Sequence, residues 1–482
     1  MKALVLGSGV DALVTAHTLA RGGHQVTVLG GKSDGDSSRH VGWIPRRVIA
    51  NLDLERHGLF NQWPDPWVSA PLPGGERLTL WRDVARSADE IRKLSPRDAG
   101  RWPKFCERMH AIAGVLEDLY GEPPPDPLTH TPGGLIDLAR DALRLRKLGR
   151  QGMDDFLRFL PMSIADLLDA WFESDVLKAA LGAQGVMHLA QGPRSGGTAY
   201  NFLHHHVGSP AGVFRQPLSN LREVLSALPG IQRLEHEAAH IDVQDGSVRS
   251  VALDGGEPLA ASLVVSAADP RRTLLDLCDP GCLDPELVRT LRNIRSRGVA
   301  AEVTLTLARD PGFTVLALAP ALDHLERAYD DSKYGRMSSD PYIEARHEAT
   351  KEETHRAHVH VQYVPYALRD GTWDDARRDE LTKLVIAKID QAAPGFAAAV
   401  VGHAVLTPAD LENTRGYPQG QPYHAQIALD QMLWMRPVPQ LARYRTPIEG
   451  LYLCGPAMHP GIPGATGANA ASVILRDLKK RK

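Results

Sequence analysis

The chain has 482 residues, with 55 Lys or Arg against 58 Asp or Glu, a formal net charge of −3. That balance gives no electrostatic footprint for nucleic acid. A content of 43% hydrophobic and 23% charged residues is ordinary for a globular protein, and the length predicts two interwoven domains rather than one small core. Four cysteines, Cys106, Cys278, Cys282 and Cys454, supply no disulfide framework and suit a reducing compartment. No apolar run reaches the roughly 18 residues that a spanning helix needs. Gly7, Gly9 and Asp11 interrupt the apolar N-terminus too early for a secretion signal, so the expected location is cytoplasmic.

Leu4-Val5-Leu6-Gly7-Ser8-Gly9-Val10-Asp11-Ala12 reads as a buried strand, a glycine turn and a helix running to about Gly22. A second strand, His24 to Leu29, completes the start of a βαβ unit. In such a turn Gly7 permits the tight bend, Gly9 lets the backbone approach a pyrophosphate, and Ala12 allows close helix–strand packing. The helix N-terminus then presents free N–H groups to phosphate. At the end of the second strand, where a carboxylate normally holds the ribose hydroxyls, stands Gly30. A Ser/Asp/Gly-rich loop follows, Gly31 to His40.

Residues 85–205 carry helical spacing, as at Leu160, Ile164, Leu167, Leu168 and Trp171. The proline-rich stretch Gly121–Pro127 must be a loop that splits this region. From Gly133 to Arg150, Arg140, Arg144, Arg146, Lys147 and Arg150 alternate with leucines. That pattern fits a solvated helix face, and it also fits contact with an anionic membrane surface. Strands return at His240–Val243 and Val248–Leu253, joined by an Asp245-Gly246 turn, then at Leu263–Ser266, 297–307 and 356–364. A long helix is predicted over Asp374–Ala392. The last unit is a strand, Leu451–Cys454, a glycine-rich turn, and a helix from about Ala468 to Lys479. It mirrors the first unit, so both chain ends are expected to converge on one site.

Several groups resemble metal sites and are not read as such. His204, His205 and His206 are consecutive and point in different directions, as at a helix end of mixed exposure. His358 and His360 share a strand face, which suits sheet packing or pocket lining. Cys278 and Cys282 flank Asp279-Pro280-Gly281 with no second ligand pair nearby. No metal site is expected.

The arrangement resembles the phytoene-desaturase-like branch of the flavin-dependent amine-oxidase-fold oxidoreductases. More narrowly, it is similar to the pyridine nucleotide-disulphide oxidoreductase domain-containing protein 2 group. The segments that carry the likeness include Asp166–Asp175, Gly192–Tyr200, Gln362–Tyr366, Leu406–Glu412, Ala428–Gln431, Arg436-Pro437, Leu451–Gly455 and His459-Pro460-Gly461. The resemblance implies an α/β fold with two parts. A Rossmann-like FAD/NAD(P)-binding domain is built from residues 1–70, 210–275 and 425–482, and an α+β substrate domain with a helical insertion from 71–209 and 276–424. It implies FAD as cofactor, held by Gly7, Gly9, Ala12, Gly455, Gly464, Gly467 and Asn469. His424 and His459 then lie on the isoalloxazine side of the cleft as catalytic candidates, with Arg436 and Tyr200 in the substrate pocket. The pocket is expected to have apolar walls from residues 151–205 and to take a small apolar substrate.

Against that pattern the chain departs at four cofactor contacts. Gly30 replaces a glutamate, and Asp34–Arg39 replaces a glycine pair. Gln216-Pro217-Leu218 replaces a Gly-Gly-Met turn, and the loop from His459 to Asn469 is shortened and lacks an arginine. Proline and branched residues cannot supply the positive φ or the room that glycine gives. Two readings stay open: an FAD-dependent oxidoreductase, or a flavin-free relative that uses the cleft for binding a ligand or partner or for non-redox chemistry. Peripheral membrane contact and a protein partner or homo-oligomer are also left open.

Overall fold

The structure, a computed structural model, describes residues 1–30, 40–349 and 355–480. The altered loop Asp34–Arg39 lies outside the described residues. Strand Lys2–Leu6 is buried from Ala3 onward, as a central parallel strand covered on both faces must be. It pairs in parallel with Gln25–Leu29 on one side and Val264–Ser266 on the other. Val264–Ser266 pairs in parallel with Leu451–Leu453, and Gln232–Leu234 closes the far edge. One five-stranded sheet therefore draws strands from four separated segments, and the two chain ends meet in it as the sequence predicts.

Helix Val10–Arg21 packs against the C-terminal helix Ala465–Lys480. The contact is close because Gly467 has no side chain: a Cβ there would lie 2.3 Å from the Asp11 carbonyl oxygen. The C-terminal helix begins three residues earlier than the sequence pattern predicts. Its first turn is fixed by Asp11, whose Oδ1 accepts from the N–H groups of Gly464 at 2.7 Å and Gly467 at 2.9 Å. Beside this sheet, Ala238–Gln244 and Ser247–Leu253 form the predicted hairpin. Asp245 and Gly246 both have positive φ, 51° and 72°, as a tight two-residue hairpin turn requires.

The second sheet has seven strands, in the order Val400–Leu406, Ala300–Leu307, His355–Gln362, Tyr342–Ala349, Val315–Leu318, Val68–Pro71 and Arg77–Leu80. The strand Val68–Pro71 thus begins inside the segment that the sequence pattern gives to the cofactor domain. Alternation along the strands separates two faces. Val303, Leu305, Ile343, Ala345, Val359 and Val361 join a core with Leu381, Val385 and Ile389 of helix Asp375–Ala392. Glu302, Glu344, Arg346 and His360 occupy the opposite face.

After strand Arg77–Leu80 the chain forms helices Val84–Arg92, Pro96–Tyr120, Pro132–Arg146, Gly149–Phe159, Ile164–Trp171, Asp175–Val186 and Thr198–His206. They close over an aromatic core that includes Trp102, Phe105, Phe172, Phe202 and Phe214. His204, His205 and His206 are all buried, so the expected mixed exposure does not hold: their helix is enclosed by Pro96–Tyr120 and Asp175–Val186. Helix Pro132–Arg146 buries no residue. Two of its arginines are in ion pairs, Arg140 and Arg144 with Glu122 and Arg144 also with Asp141. No described helix is long and apolar enough to cross a membrane.

Burial of Asp11 raises its pKa to about 7 against the two backbone hydrogen bonds, which lower it. The native carboxyl therefore keeps its proton to about pH 7, whereas an unfolded one releases it near pH 4. Between those limits the native state binds the extra proton, so stability falls as pH rises through the window. Asp11→Asn keeps an acceptor for both N–H groups without a buried charge. The variant should melt above the wild type beyond about pH 8 and together with it below about pH 4. Equal melting temperatures at both ends would refute the assignment.

Candidate functional site

A cavity of about 1120 Å³ runs from the Gly7–Ala12 turn to the polar face of the seven-stranded sheet. That exceeds the usual volume of a single small-molecule pocket, about 300–1,000 Å³, and leaves room for a cofactor and a substrate together. At the turn end the wall is Leu6, Gly7, Ser8, Gly9, Val10, Asp11 and Ala12, with Gly30, Trp43 and Glu237 nearby. Gly7 has φ +111°, and a Cβ there would stand 3.2 Å from that of Ala267. Gly9 is the N-cap of the first helix and makes no side-chain cap, and a Cβ there would meet nothing within 4 Å. The first N–H groups of a twelve-residue helix thus face open space, an anion-binding arrangement.

Gly30 is built into this end rather than merely lacking a side chain. A Cβ there would lie 3.0 Å from Ser8 Cβ and 3.2 Å from Ser8 N, so a larger residue needs Ser8 to give by a few tenths of an ångström. Gln216 and Pro463, from two of the other altered segments, also line the cavity. FAD therefore fits the structure at its pyrophosphate, through the uncapped turn, while the carboxylate for the ribose is absent at position 30.

The opposite end is polar. His188 has a left-handed backbone, φ +58°, a conformation that costs a bulky residue free energy and tends to occur at functional sites. Its ring stands edge-on to His360 at 4.8 Å and to Tyr423 at 5.7 Å between centroids. His205 shares a 2.9 Å hydrogen bond with the Tyr423 hydroxyl. Glu302 accepts two bonds from Arg415, at 2.8 and 3.1 Å. Behind the wall, fully buried Arg215 pairs with Glu344 at 2.8 Å, and Arg346 pairs with the other carboxylate oxygen. Burial alone would raise Glu344, but the two guanidiniums hold it down to about 2. Burial lowers the pKa of His188, His205, His360 and His424, with His205 and His424 at about 4. The wall imidazoles are neutral at pH 7.

Of the sequence candidates, Gly7, Gly9, Ala12 and His424 line this cavity. His424 is buried, has φ +56°, and leaves Nδ1 without a partner. The others stand behind the wall. The His459 nitrogens face the carbonyls of Leu433 and Leu119 at 3.2 and 3.4 Å. Tyr200 shares a 2.7 Å hydrogen bond with Tyr120, whose hydroxyl is 3.0 Å from His204 Nδ1. Arg436, also buried, donates to the carbonyls of Tyr423, Ala425, Gln431 and Pro456. A Cβ on Gly455 would lie 2.3 Å from the Ala267 carbonyl oxygen, so that glycine serves packing between strand ends. Gly464 and Gly467 hold Asp11, and Asn469 donates to the Tyr120 carbonyl at 3.1 Å and accepts from Arg47. The expected apolar wall from 151–205 is mostly polar: that region contributes Gln184, Met187, His188, His204 and His205.

A Rossmann-type parallel sheet with an open glycine turn, and a second sheet whose polar face lines the same cavity, form a dinucleotide-cofactor oxidoreductase scaffold. The chain belongs to the family described as flavin containing amine oxidoreductase, whose profile matches residues 57–475. Pyridine nucleotide-disulfide oxidoreductase domain-containing protein 2 of Rattus norvegicus is 29% identical, over 99% of this chain and 94% of its own. Phytoene desaturase (neurosporene-forming) of Cereibacter sphaeroides is 22% identical over 97% and 93%. Among solved structures, a putrescine oxidase triple mutant aligns with TM-score 0.62 at 12% identity, covering 100% of this chain and 99% of its own. An oxidoreductase from Methanosarcina mazei aligns with TM-score 0.58 at 14% identity, with both chains fully covered.

Arg436 provides a direct check on these placements. An ammonium has three donors for the four carbonyls, so Arg436→Lys should leave at least one buried acceptor unpaired and cost about 1–3 kcal/mol in denaturant unfolding. A loss below about 1 kcal/mol would mean that the carbonyl cage is not what Arg436 supports.

Proposed function

We propose that the protein is an FAD-dependent oxidoreductase of dehydrogenase, desaturase or oxidase type, acting on a small molecule in the cleft between its two domains. The observation that carries this reading is the uncapped helix N-terminus behind Gly7 and Gly9, opening into a cavity larger than one ligand needs. The Gly9–Ala12 backbone would hold the cofactor's phosphates. When bound, FAD supplies a two-electron acceptor for hydride taken from the substrate. The chain's own part is position and proton handling. Trp43, Met187, Leu277 and Ile462 offer walls for an apolar substrate body, and the sheet end offers hydrogen bonds to a polar group on it. His424, neutral and with Nδ1 unpartnered, is the candidate to take a proton from substrate. His459 acts from behind, bridging the end of helix Pro96–Tyr120 at Leu119 and the turn at Leu433.

Gly30 favours a second reading, a flavin-free relative using the same cleft. A carboxylate–ribose hydrogen bond is worth roughly 1.5–3 kcal/mol, about tenfold to a hundredfold in affinity. Visible absorption of the purified protein, followed by FAD titration, separates the two. Wild-type protein should bind FAD and turn yellow, and failure to bind up to about 1 mM would leave the flavin-free reading standing. Gly30→Glu alone should gain less than about threefold in affinity, because Ser8 obstructs the new side chain. Adding Ser8→Gly should release more of the gain, and an equal gain from the single change would show that Ser8 is no obstacle.

A further inference from the structure

Away from the cavity, Asp310, His347 and His355 each place one ligand atom within 4.8 Å of the others. We propose that these three side chains form a zinc site that clasps the end of the seven-stranded sheet.

His347 lies near the end of Tyr342–Ala349, and His355 opens the antiparallel neighbour His355–Gln362. In their register His347 opposes Ala357 and Ala349 opposes His355. The two histidines are therefore diagonal neighbours on one face, the face away from Glu344 and Arg346. Their rings stack at 5.1 Å with 28° between planes, and Nε2 of His347 is 2.9 Å from Nδ1 of His355. Two imidazole nitrogens facing each other can share only one proton. Tetrahedral zinc with Zn–N bonds of about 2.0–2.1 Å sets its nitrogens about 3.3 Å apart. The pair needs to open by only a few tenths of an ångström to hold it.

Asp310 comes from the turn after strand Ala300–Leu307. Its Oδ1 accepts from Gly312 N at 2.7 Å, which fixes the carboxylate and leaves Oδ2 for a ligand. Asp310 Oδ1 is 4.0 Å from His347 Nδ1, the ring nitrogen that does not face His355, so the carboxylate must turn towards Nε2 to join the metal. Two imidazoles and one carboxylate suit zinc, whereas calcium and magnesium prefer all-oxygen sets. A fourth position is open to water.

The sequence pattern predicts no metal. These ligands come from three segments, and His347 and His355, eight apart, match no metal-binding spacing. Bound zinc would tie the 308–312 turn to the two strands, one of which presents Arg346 to the cavity on its other face.

The test is zinc titration of chelator-treated full-length protein by calorimetry, with folding checked by circular dichroism. Wild type should bind one zinc per chain at micromolar or tighter affinity. His347→Gln and His355→Gln should each weaken that binding at least about tenfold, and Asp310→Asn about threefold or more. His403→Gln, at an exposed histidine on a separate strand, should leave it unchanged. Cobalt gives a readout that needs no variant, since visible bands of a low-coordinate ion should appear at one equivalent. Wild-type affinity weaker than about 100 µM, or equal binding by the histidine variants, would overturn the proposal. So would the absence of cobalt bands.

Discussion

Asp11 accepts from Gly464 and Gly467 through one carboxylate oxygen, joining residues 453 and 456 positions apart. The bonds bring the glycine turn of the first helix against the N-terminus of the last, and the approach is possible only because residue 467 has no Cβ. With its own side chain turned to the partner helix, Asp11 caps that helix and leaves the first one uncapped. One internal carboxyl group thus fills one helix N-terminus while the neighbouring one stays free for an external anion. The cavity's shape at the cofactor end follows from that division.

At the other end the ordering is electrostatic in a different sense. Arg215, Glu344 and Arg346 form an ion cluster, with Arg215 and Glu344 buried behind the wall and Arg346 reaching the cavity. Burial keeps the imidazoles in front of it neutral. Two guanidiniums against one carboxylate leave one net positive charge at this end, beneath uncharged imidazoles. That differs from an apolar tunnel, and it comes from residues on both the helical region and the sheet.

What can be read from the sequence is what depends on neighbours along the chain. Glycine-turn chemistry defines the first and last units, and period-two alternation over 297–307 and 356–364 locates the strands Ala300–Leu307 and His355–Gln362 to within a few residues. The convergence of the two ends follows from their matching strand–turn–helix patterns. What depends on distant partners is not legible. Arg436 reads as a ligand cation until four carbonyls from separate turns are seen around it. His188 carries no local signal of its left-handed backbone, and the Glu302–Arg415 pair spans 113 positions. Gly30 looks like a deletion of function in the sequence, whereas its contact with Ser8 shows a close approach that a side chain would disturb. The three consecutive histidines mislead because burial of a helix on all sides is a property of its neighbours, not of its own residues.

The discontinuous build of the parallel sheet has a consequence for how the protein is made. Strand Lys2–Leu6 can gain one neighbour early, from Gln25–Leu29, but its other edge stays open until Val264–Ser266 has been synthesised. That strand in turn waits for Leu451–Leu453. At translation rates of about 5–20 residues per second, the delay between the first and last strands is roughly 20–90 s. Throughout it the nascent chain carries an apolar, unpaired strand edge, the kind of surface that recruits other strands. Completion of the site and protection from aggregation therefore arrive together, with the final few dozen residues.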